Sequence, residues 1–417
     1  MKQQDMKSGG SATATREIAV PFGTMSVPRR AKQIIAEVLT TRRISSGKYV
    51  REFENRFAEL LGVKEAVAVS SGTDADVLAL AVLHDYGAQR GDEIIVPALS
   101  FVASGNAVFH AGFTPVFVDI DFNTLNIDPS GIEAAVTDKT RAIMPVHLMG
   151  KPAEMDLIRD VARKHDLRVI EDAAEAHGAI YKGEPVGTLG DMGAFSLYLA
   201  HIITTGEGGV VVTDNEDYAQ ILRSLRSHGR ACKCRQCTIN TTSGYCPKRF
   251  QGDQGEDMRF VFERIGYSAK MNELEAALGL ANLDIYDEIL SRRRRNLQYV
   301  LERFKQFDPY LTTIEEGPDE KIGPHAIPIV VGRGASFTRE ALANCLEEHG
   351  IETRTLFASM PTQCAGFAHL GYRPGQFPNA EYIGMHGIHV GVHQDLGREE
   401  MDHVLGTIGR FLEDNQN

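Results

Sequence analysis

The chain lacks the features that mark several large classes of protein. No apolar run in its 417 residues approaches the roughly 20 residues that cross a bilayer, and the first residues, MKQQDMKSGGSATATR, contain no apolar signal core. Acidic residues exceed basic ones, 56 against 44, and the net charge of −12 argues against binding nucleic acid through charge alone. We therefore expect a soluble cytoplasmic protein with no membrane or nucleic-acid partner and a disordered tail over 1–17.

Familiar nucleotide-binding and protease motifs are missing as well. The sequence contains no G-x-x-x-x-G-K-[ST] and no H-E-x-x-H, and GEGG at 206–209 is not a G-x-G-x-x-G that opens a helix. These absences argue against a P-loop enzyme, a metalloprotease and a Rossmann dehydrogenase. The length is nevertheless ample for two or three domains of about 150 residues each.

Short β-rich runs alternate with helical runs between about 63 and 213. The β-rich runs are 93–98, 114–120, 141–148, 168–172, 193–198 and 208–213, and the helical runs include 74–87, 104–112 and 154–166. Such alternation is typical of βα units. We therefore predict an α/β large domain with a mainly parallel sheet that is covered on both faces.

The second half of the chain predicts a smaller C-terminal α+β domain. Its expected elements are one or two long amphipathic helices at 272–304, a strand at 325–331, a helix at 338–350 and a last helix near 398–413. We place the large domain at 18–295 and the small domain at 296–417. The run of arginines at 292–295 predicts a solvated helix face or a subunit contact.

Four of the six cysteines are clustered in a segment without apolar periodicity, 231–258, which predicts a long loop or insertion. These four are Cys232, Cys234, Cys237 and Cys246, with the spacing C-x-C-x2-C-x8-C. In a reducing cytosol such a cluster favours a metal or redox centre over disulfides. Four thiolates suffice for an iron–sulfur cluster or a tetrahedral zinc site, and the spacing alone does not select between them.

Two motifs place polar groups where ligands of open α/β sheets bind. SSGTDA at 70–75 puts Gly72 at the start of a helix, where free amides attract phosphate. IEDAAEAHGA at 170–179 puts Asp172 at the carboxyl end of a buried strand, where it could hold a ring nitrogen protonated. The plainer alternatives are an ordinary N-cap at Ser71 or Thr73 and a helix-capping Asp172.

A third motif, GAFSLYLAHIITTGEGGVVVT at 193–213, completes a recognisable series. SGTDA, EDAAEAHG, FSLY and TTGEGGVVVT, in this order, resemble the sugar aminotransferase family (the DegT, DnrJ, EryC, StrS group) of pyridoxal-phosphate enzymes. The resemblance extends from about Ile18 to Leu412. It implies the fold called type I and a homodimer whose active sites are shared between subunits.

The resemblance also implies which residues contact the cofactor. The implied contacts are Gly72, Thr73 and Ser196 with the phosphate, Phe101 stacked on the pyridine ring, Asp172 with the ring nitrogen, and Glu175, where the family usually has Gln, near the ring hydroxyl. A neighbouring subunit usually adds an Asn from a G-Y-N-x-R-like motif. This sequence has Ser268 and Lys270 at the corresponding places of GYSAKM.

The largest departure from the aminotransferase pattern is His201, five residues before Gly206, where the family carries the lysine that forms the Schiff base. Imidazole cannot form that imine, but it can move protons near neutral pH. With a histidine at this position, the chain resembles the nucleotide-sugar 3-dehydratases of the CDP-4-keto-6-deoxyglucose 3-dehydrase type. Its segments 351–363 and 389–396 are similar to the corresponding segments of those enzymes. The alternatives are an inactive homologue and an engineered replacement of the lysine.

The 3-dehydratase resemblance implies a [2Fe-2S] cluster and a reductase partner, and CPKRF at 246–250 matches the end of the cysteine-rich stretch of those enzymes. They also carry a distant Cys in an E-D-C-C-like segment, where this chain has Ala173 and Ala174. We therefore predict a pyridoxamine- or pyridoxal-phosphate-dependent 3-dehydratase acting on a nucleotide-linked 4-keto-6-deoxyhexose. The alternatives are an aminotransferase that uses Lys270 and a noncatalytic binding protein.

Overall fold

Strands and helices alternate through the computed structural model, which describes residues 18–232, 234–235, 237–241, 245–251 and 255–415. The strands are β1 (Glu65–Val69), β2 (Glu93–Pro97), β3 (Leu99–Ser100), β4 (Thr114–Val118), β5 (Thr140–Ile143), β6 (Arg168–Asp172), β7 (Ile180–Tyr181), β8 (Glu184–Pro185), β9 (Met192–Ser196), β10 (Gly209–Thr213), β11 (Leu311–Thr312), β12 (Glu320–Lys321), β13 (Ala326–Val331), β14 (Thr353–Thr355), β15 (Ala358–Ser359) and β16 (Gly387–Gly391). The helices are α1 (Arg29–Thr41), α2 (Lys48–Leu61), α3 (Gly72–Ala81), α4 (Val102–His110), α5 (Pro129–Ala135), α6 (Met155–His165), α7 (Glu216–Leu225), α8 (Thr238–Thr241), α9 (Glu273–Asp284), α10 (Tyr286–Phe304), α11 (Arg339–Glu348), α12 (Met360–Gln363), α13 (Pro378–His386) and α14 (Arg398–Asn415).

Within the described residues, the central sheet has seven strands in the order β1-β10-β9-β6-β5-β2-β4. Only β10 runs antiparallel to its neighbours, since β1 and β9 each pair with it antiparallel and the other pairs are parallel. Every residue of β1, β9 and β10 is buried, because hydrophobic clusters cover both faces of the sheet. The predicted α/β fold with a mainly parallel sheet is confirmed.

A smaller antiparallel sheet, in the order β11-β13-β16-β14, follows in the C-terminal part. The helices α10, α11 and α14 pack together beside it. The division into domains at 18–295 and 296–417, with an insertion at 231–258, stays a prediction; α10 runs through its boundary. The predicted tail over 1–17 lies outside the described residues.

One strand, β5, is shorter than predicted, and the chain beyond its end forms a turn that contacts Glu175. The strand predicted over 141–148 is wrong beyond Ile143, where β5 ends. Pro145 has no amide hydrogen for a sheet, and the chain then turns at Leu148–Gly150, where Met149 adopts a positive φ of 54°. This turn points the amide of Met149 at Glu175.

The long helical run of the second half is divided in two. α9 begins at a capping box, in which the side chain of Asn272 accepts from the amide of Glu275 and the Glu275 carboxylate accepts from the amide of Asn272. It ends at Asp284, because the φ and ψ of the next residue, Ile285, are not helical. The helix α10 begins directly after Ile285. No helix among the described residues is long and apolar enough to span a membrane.

Candidate active site

A cavity of about 620 Å³ lies at the carboxyl ends of β6 and β9, beside the first turns of α3 and α4. Seven of the residues predicted from the sequence line it: Gly72, Thr73, Phe101, Asp172, Glu175, Ser196 and His201. Three separate motifs thus meet in one place, because the carboxyl ends of neighbouring parallel strands share an edge of the sheet. Ser268 does not line this cavity and instead forms an isolated β-bridge with Ser227.

The start of α3 forms a narrow anion-binding cradle. Ser71 caps the helix by accepting from the amide of Asp74, which leaves the first helical amides without an intrahelical partner. A Cβ added to Gly72 would lie 2.5 Å from the Cβ of Ser196, so glycine is required for this close approach. The free amides of Gly72 and Thr73 therefore lie beside the Ser196 hydroxyl, as a phosphate site requires.

Asp172 is held at the end of β6 by two donors. Its Oδ2 accepts from the hydroxyl of Ser104 at 2.7 Å, its Oδ1 accepts from the amide of Ala174 at 3.1 Å, and Ser100 contacts Ser104 at 2.8 Å. Burial raises the pKa of Asp172, and the Ser104 hydrogen bond opposes that rise. A buried, anchored carboxylate of this kind is stabilised by a cationic partner such as a protonated ring nitrogen.

His201 lies in the loop after β9 and is almost fully buried. Its amide donates to the carbonyl of Tyr198 at 3.0 Å, and its Nδ1 has no hydrogen-bond partner among the described residues. Burial, together with His177 and the positive charge of Arg293, lowers the pKa of His201 to about 3. The ring is therefore neutral at pH 7 and has a nitrogen free to accept a proton.

Glu175 connects the cavity to a second histidine. Its Oε2 accepts from the amide of Met149 at 2.8 Å, and its Oε1 lies 3.5 Å from Nε2 of His325. Burial, with a smaller contribution from the charge of Asp172, raises the pKa of Glu175 to about 8. Glu175 is thus mostly an uncharged carboxylic acid at neutral pH, able to donate a hydrogen bond as the family's usual glutamine does.

The lining also contains residues that the sequence analysis did not single out. Among the described residues of the lining there is no lysine, and Arg354 is the one arginine. Asp76 is buried with its Oδ1 unpaired, and burial, followed by the charge of Asp172, raises its pKa well above normal. The sequence does contain a signal for Asp76, because this acidic residue stands inside the otherwise apolar run of α3. His325 and Arg354 carried no comparable local signal.

The cysteines line a different cavity, of about 740 Å³. Cys232, Cys234, Cys237 and Cys246 all contribute to it, and its basic residues are Arg51, Arg223, Arg226, Arg230, Arg235, Lys248, Arg259 and Lys270. In the described part of the chain, no three His, Cys, Asp or Glu residues are grouped closely enough to hold a metal ion. Ala174, at the place of the distant family cysteine, lines the first cavity and not this one.

Lys270, the lysine considered for an aminotransferase, therefore lies with the cysteines and not with His201 in this chain. Burial lowers its pKa, and the charges of Arg230 and Arg226 act in the same direction. In such a basic environment Lys270 is suited to bind an anionic group. It is not placed to react with a carbonyl group in the other cavity.

The fold and the first cavity together define a pyridoxal-phosphate enzyme of the aminotransferase type. Sequence comparison agrees, because the profile of the DegT/DnrJ/EryC1/StrS aminotransferase family matches residues 27–409. The chain belongs to this family, whose members are pyridoxal-phosphate-dependent enzymes that act on nucleotide sugars.

Individual relatives divide between two reactions. The chain is 36% identical to dTDP-4-dehydro-2,6-dideoxy-D-glucose 3-dehydratase of Saccharopolyspora spinosa, over 91% of this chain and 83% of the relative. It is also 36% identical to GDP-perosamine synthase of Caulobacter vibrioides, over 94% and 99%. Among solved structures, E. coli GDP-4-keto-6-deoxy-D-mannose-3-dehydratase with bound hydrated PLP matches with a TM-score of 0.81 and 32% identity, over 94% of this chain and all of that chain (100%). The overall similarity does not distinguish the 3-dehydratases from the perosamine synthase, so the residues of the site must distinguish them.

Proposed function

We propose that the protein is a nucleotide-sugar 3-dehydratase that removes the C3 hydroxyl of a nucleotide-linked 4-keto-6-deoxyhexose. The observation that carries the proposal is the chemistry of the cavity at one position: His201 stands where a Schiff-base lysine is needed, and no described lining residue is a lysine. An imidazole there can transfer protons but cannot bind the cofactor covalently.

The residues of the cavity fit pyridoxamine 5′-phosphate. Gly72, Thr73 and Ser196 would bind its phosphate, Phe101, which is 57% exposed, would offer a ring face, and Asp172 would bind the ring nitrogen. When bound, the group would supply the amine that condenses with the C4 ketone and a ring that accepts electrons. The close approach of Gly72 to Ser196 and the two donors on Asp172 favour this fit.

In this mechanism the protein mainly holds and moves protons. Asp172, fixed by Ser104, would keep the ring nitrogen of the bound cofactor protonated, which would stabilise negative charge that develops in the reaction. The neutral ring of His201 would act as the base that takes a proton, and the negative charge of a bound phosphate would raise its low pKa toward a useful range. Loss of the C3 hydroxyl would follow.

We also propose that Cys232, Cys234, Cys237 and Cys246 form a metal centre, with [2Fe-2S] preferred over zinc. Their thiols line one cavity but are not grouped closely enough for a metal in this structure, so metal binding would draw them together. The shared cavity and its surplus of basic side chains support this, because a cluster with four thiolate ligands is anionic. Such a centre would supply one-electron transfer from a flavin or iron–sulfur reductase. Anaerobic purification with iron and acid-labile sulfide analysis tests it, and zinc alone would exclude the iron–sulfur centre.

A homodimer in the cytoplasm completes the proposal. Arg354 is the one Lys or Arg among the described lining residues, whereas the cofactor phosphate and a nucleotide diphosphate are both anionic. Further basic or polar groups, including Ser268, would come from a second subunit. Analytical ultracentrifugation of the holoprotein tests this arrangement.

The test of the reaction combines mass spectrometry and chemical trapping. The protein is incubated with pyridoxamine 5′-phosphate and nucleotide-linked 4-keto-6-deoxyhexoses, and the released sugars are examined for loss of the C3 oxygen. We expect that loss in the wild-type protein and not in His201→Asn. A lysine adduct trapped by borohydride would instead favour the aminotransferase alternative, and bound ligand without any product would favour the noncatalytic one.

A further inference from the structure

Three buried histidines line the active-site cavity, each with an unpaired ring nitrogen. The Nδ1 atoms of His201, His325 and His389 have no partner among the described residues. A buried polar atom without a partner is costly, so a ligand group is expected to satisfy it. His325 differs from the other two because its other nitrogen, Nε2, lies 3.5 Å from Oε1 of Glu175.

The position of the proton between Glu175 and His325 follows from their burial. Burial raises the pKa of Glu175 to about 8, and burial with the nearby charges of His201 and His389 lowers the pKa of His325 well below normal. The carboxyl therefore keeps the proton and donates toward Nε2, so that Nδ1 carries the hydrogen of the ring. The contact is long for a hydrogen bond, as contacts in ligand-free active sites often are.

We propose that His325 is a second acid of this site, and that its Nδ1–H, set by Glu175, protonates the hydroxyl that leaves C3 of the sugar. This inference rests on the proposed 3-dehydratase function. The rings of His325 and His201 are tilted by 35° with centroids 5.2 Å apart, and both line the same cavity, so a substrate bound beside the pair faces both rings.

The proton and electron balance of the step is closed. The electron pair of the broken C4′–H bond moves toward the sugar and forms a double bond to C3. The C3–O bond breaks with its electron pair on oxygen, and the Nδ1 proton of His325 converts the leaving group to water. Glu175 passes its proton to Nε2, so His325 is neutral again. The proton that His201 took from C4′ returns through water to Nδ1 of His325 while Nε2 gives its proton back to Glu175, which restores the starting protonation of all three residues. The electron pair comes from the broken C4′–H bond, so no external oxidant or reductant is needed.

The surroundings of His325 are basic or neutral apart from Glu175. The charged and titratable groups that face it are Glu175, His201, His389, Arg293 and His177. Among the described groups that face His325, Glu175 is the one that can both hold a proton at neutral pH and contact this ring, so it acts through the ring, whose tautomer it sets.

The experiment separates the two proton transfers. With pyridoxamine 5′-phosphate and substrate in deuterated water, exchange at C4′ of the cofactor measures the step of His201, and loss of water from the sugar measures the step of His325. We expect His325→Leu to keep the exchange within about threefold and to lose elimination by about 100-fold, the usual worth of a general acid. His325→Asn, which keeps a donor near Nδ1, should recover part of the elimination.

A matched control is His393→Asn, since His393 is buried but does not line the cavity. It should change neither step, and cofactor affinity measured by absorbance should show that every variant is folded. The inference is overturned if His325→Leu eliminates water normally, or if it loses exchange and elimination equally. If the wild-type protein eliminates no water from any of these sugars, the proposed function itself has failed.

Discussion

The guanidinium of Arg293 donates from Nη2 to the carbonyl oxygen of His201 at 3.4 Å, in the interior of the protein. Arg293 is only 1% exposed, and its Nε also donates to Gln394 at 2.9 Å. A helix of the C-terminal half thereby holds the loop that carries the proposed base. The buried positive charge also disfavours protonation of the imidazole.

Replacing Arg293 with Met tests this relationship. The pKa of His201 should rise, because a neighbouring cation is removed, and the free energy of unfolding should fall by about 1–3 kcal/mol as Gln394 and the carbonyl lose their donor. NMR titration and urea denaturation measure the two effects. Arg292→Met is the control, since Arg292 is half-exposed and its one ion pair within the described part of the chain is with Glu288 in the same helix. Equal losses of stability in both variants would contradict the prediction.

Restoring an amine at position 201 should restore covalent attachment. We expect His201→Lys to bind pyridoxal 5′-phosphate as a borohydride-reducible adduct that adds the cofactor mass to the protein, because a primary amine condenses with the aldehyde. The wild-type protein should release the cofactor under the same treatment. An adduct in the wild-type protein, on any residue, would contradict the assignment of His201.

The pH dependence should report the ionisation of Glu175. Elimination should decline as pH rises through about 8, where the carboxyl loses the proton that sets the His325 tautomer. Glu175→Gln cannot ionise and still donates a hydrogen bond, but it cannot pass a proton to His325. Elimination should therefore be slower at every pH, and the alkaline decline should disappear. The same decline in both proteins would show that another group causes it.

Glu175 should also affect the stability of the ligand-free protein. Between pH 4.5 and about 8 the folded protein retains a proton that the unfolded chain has released, so folding stability falls as pH rises. The slope from this group alone is about 1.4 kcal/mol per pH unit. Urea denaturation of Glu175→Gln across this range should lack that contribution.

The hydroxyl of Ser104 should matter for cofactor binding. In Ser104→Ala the Oδ2 of Asp172 loses a 2.7 Å hydrogen bond, so the carboxylate that would bind the ring nitrogen is less stable as an anion. We expect affinity for pyridoxal 5′-phosphate to fall about tenfold, the worth of one such bond, by fluorescence titration. Ser336→Ala, which removes an exposed hydroxyl bonded to Asn415, should bind normally. Unchanged affinity in Ser104→Ala would contradict this role of Asp172.

The sequence alone determined the alternation of strands and helices, and with it the parallel sheet. It also determined which chemistry position 201 can support, because an imidazole cannot form an imine whatever surrounds it. The same local patterns placed Gly72, Asp172 and Ser196 at element ends, and the carboxyl edge of a parallel sheet then brings such ends together.

Only the tertiary structure decided which residues from the second half of the chain lie at the carboxyl edge of the parallel sheet. The arginine run at 292–295 predicted a solvated helix face or a subunit contact, yet Arg293 is buried beneath His201, because packing of α10 turns that one side chain inward. His325 reaches Glu175 for a similar reason. Contacts between residues far apart in the chain depend on how whole elements pack, and a single-sequence pattern records only neighbours along the chain.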